Sequence, residues 1–196
     1  HVMMFLTNMD SDSMSIFPIH RVAKSPKPFD RESFLQKAGE YFDISPWSGT
    51  LNGAEVKSRL KELGKEQITF CAYLGKEHAF ILKVKDPKNV LPLLDQNEPQ
   101  DMQVLDVVQL HAILLRHILK IDTREKAGQQ FVSYKVNSEE GMEMVDSGEC
   151  DVVFFMNPTL IDQVRRLAEK GLRLPQKATF FYPKLLSGLV INKFGP

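Results

Sequence analysis

Gln67-Ile-Thr-Phe-Cys-Ala-Tyr-Leu-Gly-Lys-Glu-His-Ala-Phe-Ile-Leu-Lys-Val84 is the stretch on which the fold turns. Ile68, Phe70, Ala72 and Leu74 alternate with Thr69, Cys71 and Tyr73, and Phe80, Leu82 and Val84 alternate on the return. A period of two sends successive side chains to opposite faces of a strand. Gly75-Lys76 stands between the two runs, so the pattern predicts a β-hairpin.

Working outward, Asp151-Val-Val-Phe-Phe-Met156 is apolar throughout, as expected of a strand covered on both faces. Val2–Thr7, Ser15–Val22 and Phe131–Val136 read as further extended runs. Asn8–Ser13 is turn chemistry, and Pro18 puts its run at a sheet edge or beside a bulge. Between them lie helical patterns. Asp30 caps a helix through about Tyr41, with Phe34, Leu35 and Ala38 inward. Gly53–Leu63 buries Val56, Leu60 and Leu63 and stops at Gly64. Pro87–Leu94 is short, and Val104–Lys120 is the longest. Asn137 with Glu140 forms a capping box for a helix through Asp146. Asn157-Pro158 supplies a cap and a first-turn proline for a helix burying Leu160, Ile161, Val164, Leu167 and Ala168, ended by Gly171. The chain therefore reads as a mixed α/β (α+β) domain spanning 1–196, with a central mixed sheet, flanking helices and one clear hairpin.

The bulk properties set bounds. The chain has 196 residues, 43% hydrophobic and 26% charged, the composition of a globular protein able to bury roughly 70% of its unfolded surface. Lysine plus arginine (25) equals aspartate plus glutamate (25), which argues against nucleic-acid binding by this segment. Its apolar runs fall short of the roughly 20 residues a membrane helix needs. Cys71 and Cys150 are expected to be reduced, buried thiols without metal-ligand spacing, which fits a cytoplasmic setting. The strand-like opening suggests part of a longer protein.

Asp151-Val-Val-Phe-Phe-Met-Asn-Pro-Thr159, Gln163-Val164 and Pro175-Gln-Lys-Ala-Thr-Phe-Phe-Tyr-Pro-Lys-Leu-Leu-Ser-Gly-Leu-Val190 together resemble the closing signature of the bacterial and archaeal family called domain of unknown function 1015. Phe17-Pro-Ile-His-Arg21 is similar to its Leu-Pro-Thr-His-Arg, and Leu105-Asp-Val with Leu110-His111 to its Leu-Asp-Val…Leu-His. Lys177-Ala178-Thr179 departs from the usual Lys-Ser-Thr, so a hydroxyl at 178 has no role. The resemblance implies a cytoplasmic protein about twice this length, of which this is the C-terminal half. It also implies a link to ParB-like proteins, which some members are labelled as resembling.

Four groups of residues are candidates for one site. His20 is a candidate acid or base and Arg21 an anion binder; alternatively both serve a sheet edge. Asp106 and His111 are candidate catalytic groups. Five residues of α-helix carry them about 140° apart, so a helix-dipole charge and a packed histidine are equally open readings. Asn157 and Thr159 follow the most buried strand, where helix N-termini offer N–H groups to anions, though Asn157 also serves as a cap. Finally, Lys177, Thr179, Tyr182 and Lys184 lie in a proline-bounded extended segment, Pro175–Pro183, followed by a bend at Ser187-Gly188 and a closing strand, Leu189–Asn192. Thr179 is expected to share a side with Phe181, and Tyr182 with Phe180.

No Gly-rich phosphate loop, nucleophile elbow or zinc motif is present in the sequence, so no cofactor or metal is assigned. The leading expectation is a pocket for a small anionic or phosphorylated metabolite, in an enzyme or sensor completed by the missing half. The alternatives are a ParB-like nucleotide- or DNA-responsive interaction module and a purely structural domain.

Overall fold

Residues 69–73 and 79–84 pair antiparallel, with Cys71 opposite Ile81 and Ala72 opposite Phe80, as the alternation predicts. The computed structural model describes residues 6–10, 14–76, 78–184, 186, 188 and 191. Most of the expected opening strand, and most of the bend and strand expected after Leu186, lie outside those residues.

In chain order the elements are β1 (Ser15–Phe17), β2 (His20–Ala23), α1 (Arg31–Ala38), β3 (Phe42–Pro46), α2 (Gly53–Leu63), β4 (Thr69–Tyr73), β5 (Ala79–Val84), α3 (Pro87–Val90), a 3₁₀ turn (Leu91–Leu93), α4 (Gln100–Gln103) and α5 (Asp106–Gln109). A π-helical stretch (Leu110–Ile118) continues α5, followed by α6 (Lys126–Gln129), β6 (Val132–Lys135), α7 (Ser138–Asp146), β7 (Val152–Phe155), α8 (Ile161–Glu169) and β8 (Phe180–Tyr182). Six strands form one sheet in the order β3-β5-β4-β7-β2-β6, and β1 pairs with β8 in a separate two-stranded ribbon. The α/β class holds. The sheet, expected to be mixed, is antiparallel at every pairing. Val152–Phe155 is apolar because helices cover both faces, and burial on two faces does not specify strand direction.

Strand alternation divides the core into two layers. Ala23, Phe70, Ala72, Leu82, Val152 and Phe154 face α1 and the π-helical stretch. Val22, Cys71, Tyr73, Ile81, Val153 and Phe155 face α2 and α7. Each large side chain buried this way is worth roughly 1.5–3 kcal/mol, so a slip by one residue in β2, β4 or β7 would exchange both layers. Consecutive residues of β2 consequently serve different halves of the molecule.

Several boundaries differ from the sequence pattern. The first helix stops at Ala38, and Phe42–Pro46 forms an edge strand against β5. Its Asp43, Ser45 and Pro46 are exposed, which hides the strand signal; a terminal proline suits an edge. The expected helix at Asn157 begins instead at Ile161. Asn157 does not cap it, because its Nδ2 donates to the Leu60 carbonyl of α2 at 2.8 Å. Gly64 ends α2 with a right-handed φ of −70°, not a left-handed cap. Close approach of Asn157 requires a glycine there, since a Cβ would lie 2.2 Å from Asn157 Nδ2. In α8 only Leu167 is buried, and Leu160 is 61% exposed. Asn137 caps α7 as predicted, while Glu140 pairs with Lys135 at 2.9 Å rather than closing a box. Cys71 and Cys150 are buried free thiols. Among the described residues no helix is long and apolar enough to cross a membrane.

Candidate functional site

Because β2 alternates, His20 and Arg21 point to opposite faces of the sheet. Arg21 is fully buried and lies on the face of the long helix. Its Nε donates to His111 Nε2 at 3.0 Å, and its Nη2 to the Lys177 carbonyl at 2.9 Å. Its Nη1 donates to the Ile19 carbonyl and lies 3.4 Å from Met156 Sδ. Tyr134, directly opposite Arg21 in the β2–β6 register, packs its ring 5.3 Å from the guanidinium carbon. Among the described residues Arg21 has no carboxylate partner. Desolvation draws its pKa down to about 10, partly opposed by Tyr134. It nevertheless remains a cation at neutral pH.

The donor at Arg21 fixes the tautomer of His111. Guanidinium nitrogens only donate, so His111 Nε2 accepts and its proton resides on Nδ1. Nδ1–H then donates to Thr123 Oγ1 at 2.9 Å. Burial, then the positive charges of Arg21 and Arg116, hold His111 down to about 3, so the ring is neutral. Thr123 keeps its own hydroxyl proton to offer elsewhere.

These residues form one wall of a cavity of about 560 Å³, a volume typical of small-molecule sites. His111, Thr123, Tyr134 and Lys177 line it, with Val107, Val108 and Ala112 as apolar floor. Arg116, Asp122, Arg124, Asp95 and Glu98 form a charged wall. There Arg124 is bidentate to Asp122, at 2.9 and 2.5 Å, and its Nη1 lies 3.7 Å from Asp95. Arg116 donates to the Leu93 carbonyl at 2.6 Å. Lys177 makes no ion pair among the described residues, and its backbone sits at φ +58°, uncommon for a non-glycine residue.

The π-helical winding brings His111 and Arg116 to the same cavity. Leu119 N–H bonds the Leu114 carbonyl five residues back, at 3.0 Å. Residues five apart then fall roughly one above the other, whereas in an α-helix they diverge. Other supports are polar and buried. Gln103 Nε2 donates to the carbonyls of Asp95 and Glu98, and Gln109 Nε2 to that of Gln103. Gly128 allows the Asp122 carbonyl to approach where a Cβ would lie 2.0 Å away.

The remaining candidates lie elsewhere. His20 is 5% exposed and lines a second cavity, of about 230 Å³, on the opposite face. Burial, then Arg21, lowers its pKa to about 4. Asp106 starts α5 beside the lining residue Val107; burial pushes its carboxyl up to about 6, against a hydrogen bond from its own N–H. Asn157 is committed to α2. Thr159 Oγ1 donates to the Ala178 carbonyl at 3.0 Å, a contact the side chain at 178 does not enter. Thr179, Tyr182 and Lys184 line neither cavity. Tyr182 pairs with Ser15 and packs 5.3 Å from Phe17, and Lys184 Nζ lies 5.8 Å from the Phe180 ring. Of the residues expected to converge, His111 and Lys177 line the large cavity with Arg21 directly behind them. Arg116, Thr123, Tyr134 and Gln176 join them without having been singled out. Arg116, a charge within the apolar run Ala112–Leu119, was the one legible signal. No cluster of three His, Cys, Asp or Glu side chains capable of holding a metal occurs among the described residues.

Comparison with solved structures finds a conserved hypothetical protein from Pyrococcus furiosus, 14% identical, with a TM-score of 0.50 over 89% of this chain and 59% of that one. A free serine kinase in complex with AMP is 15% identical, with a TM-score of 0.48 over 89% and 56%. A mutant of a free serine kinase in complex with ADP is 12% identical, with a TM-score of 0.49 over the same shares. The chain thus spans between 56% and 59% of the length of these structures. No curated protein matches its sequence. A family model matches residues 1–108, which include Phe17–Arg21 and Leu105–Val107 but not the closing motif. More than half the chain is covered by that match, and the chain belongs to the family described as Protein of unknown function (DUF1015).

Proposed function

We propose that the 560 Å³ cavity binds a small anionic metabolite, a phosphate ester above all, in an enzyme or sensor of which this domain is one part. The observation that carries the reading is the pairing of charges. Arg124 is matched by Asp122 and Asp95, while Lys177 and the buried Arg21 have no carboxylate partner among the described residues. Arg21 is dry and lacks a counter-charge, which is costly; Lys177 is exposed, and an anion held by it would place negative charge on the Arg21 side of the cavity. Thr123, its acceptor side taken by His111, would donate its hydroxyl proton to the same anion. Arg116 would add a second charged donor, and Val107, Val108 and Ala112 would take an apolar body.

Arg21 is assigned a positioning role in this reading, because it does not line the cavity. It holds His111 in one tautomer and pins the Lys177 carbonyl. His111 has both ring nitrogens occupied and acts as a spacer rather than as an acid or base.

Calorimetric titration of the full-length protein with phosphorylated metabolites and adenine nucleotides tests the reading. At least one compound should bind, and Lys177→Ala and Arg116→Met should each weaken it about tenfold, the loss expected for one charge-assisted contact. Binding unchanged in both variants, or no binding by any phosphate ester, would overturn it.

A further inference from the structure

The large cavity carries charge of both signs, and its two sides are not balanced alike. One side holds three carboxylates, Asp95, Glu98 and Asp122, against two guanidiniums, Arg116 and Arg124. Arg124 is shared among the acids: it is bidentate to Asp122, and its Nη1 lies 3.7 Å from Asp95. Hydrogen bonding to Asp122 first, then the charges of Asp122, Asp95 and Glu98, hold its pKa above the ordinary value against desolvation. Arg116 donates to the Leu93 carbonyl rather than to a carboxylate.

Glu98 is half-buried and fixed through its backbone. Its N–H donates to the Asp95 carbonyl at 3.0 Å, and its carbonyl accepts from Gln103 Nε2 at 2.8 Å. Its carboxylate makes no hydrogen bond or ion pair among the described residues, so this side keeps an excess negative charge. The other side is positive. Lys177 lines it, exposed and without an ion pair among the described residues, and the fully buried Arg21 stands behind. Between the two sides is the neutral His111 ring, bonded to Arg21 through Nε2 and to Thr123, next to Asp122, through Nδ1. A purely anionic ligand would suit Lys177 and leave the acidic side with unmatched like charge.

Given the cavity as a phosphate-ester site, the reading on which this rests, we propose that its ligand also carries an ammonium group. The phosphate lies at Lys177 and the ammonium at Glu98, with Asp95, only loosely engaged by Arg124, as its second acceptor. Asp122 stays committed to Arg124. The ammonium supplies the cation that three carboxylates and two guanidiniums lack, and a short hydrocarbon link rests on Val108 and Ala112.

O-Phosphoethanolamine and n-propyl phosphate, which has a methyl group in place of the ammonium, are the probes, titrated calorimetrically into the full-length protein. The amine-bearing ester should bind at least about tenfold more tightly. Glu98→Gln, a change at a half-buried side chain, should erase that preference by weakening the amine-bearing ester, without weakening propyl phosphate. Lys177→Ala should weaken both esters alike and keep the preference. Equal binding of the two esters, or a preference that survives Glu98→Gln, would overturn the ammonium requirement and leave the phosphate-ester reading standing. Binding of neither probe, with another phosphate ester still bound, would do the same. If no phosphate ester binds, both fall.

Discussion

Arg21 Nε and His111 Nε2 are joined by a 3.0 Å hydrogen bond between residues 90 positions apart, with the cation donating to a neutral ring. The same guanidinium holds the carbonyls of Ile19, just before β2, and Lys177, just before β8. Arg21 therefore clasps both strands leading to the β1–β8 ribbon. Arg21→Met would fill similar volume but orphan three acceptors, each costing about 1–3 kcal/mol. Removing a buried cation offsets part of that. The expected net loss is about 2–4 kcal/mol in urea denaturation, and Arg21→Lys should not restore it, because an ammonium cannot reproduce the fork.

The His111 tautomer is itself measurable. Two-bond ¹H–¹⁵N correlations should show Nε2 unprotonated and Nδ1 protonated, and Thr123→Val should destabilise by about 1–2 kcal/mol by orphaning the Nδ1 proton. A protonated Nε2 would contradict the hydrogen-bond directions assigned at the cavity wall.

Three desolvated titrating groups, one buried and two half-buried, make stability depend on pH with opposing signs. His20 and His111 have folded pKa values of about 4 and about 3, below their ordinary 6.5. The unfolded chain thus binds more protons than the folded one as pH falls below 6.5. Stability present at neutral pH is lost through that window, by up to roughly 3 kcal/mol for His20 and about 5 kcal/mol for His111. Asp106, raised to about 6, works the other way: its charged form costs stability above 6, and the cost is relieved as pH falls toward 3.8. Asp106→Asn should therefore raise stability at neutral pH and steepen the loss below pH 6, while His111→Gln should flatten it. Urea midpoints between neutral pH and about 4 would report both slopes.

The fold was legible wherever alternation was long and unbroken. The β4–β5 hairpin, β7 and α2 follow from residue order alone, because side-chain period and strand burial are locally coupled. Strand direction was not legible, since an apolar run such as Val152–Phe155 looks the same in a parallel or antiparallel neighbourhood. Asn157 misled for a related reason: cap chemistry is local, but a tertiary acceptor, the Leu60 carbonyl, claimed its side chain. The site was half legible. His20-Arg21 stood out as a pair, yet the period-two rule that predicted the hairpin also separates them, His20 to the small cavity and Arg21 to the opposite face, behind the wall of the large one. Arg116 and His111 could be united only by π-helical winding, which carries no composition signal. Thr123 and Tyr134 depend on register between β2 and β6 and on a loop closed by Gly128.

Lys177 ties local strain to binding. Its φ of +58° places a non-glycine residue in the left-handed region, at a cost of roughly 1 kcal/mol. Arg21 maintains that conformation by accepting no alternative: its Nη2 donates to the Lys177 carbonyl at 2.9 Å. Substitution by glycine removes the steric cost, while substitution by alanine retains it. Lys177→Gly should therefore be more stable than Lys177→Ala by about 1 kcal/mol, less the backbone entropy that glycine adds to the unfolded chain. Both variants lose the ammonium and should weaken phosphate-ester binding equally, by about tenfold. Differential scanning calorimetry supplies the first comparison and titration the second. A glycine variant that bound the anion as tightly as the unaltered protein would show that the backbone, not the side chain, makes the contact; an alanine variant as stable as glycine would show that the left-handed conformation is not held at 177.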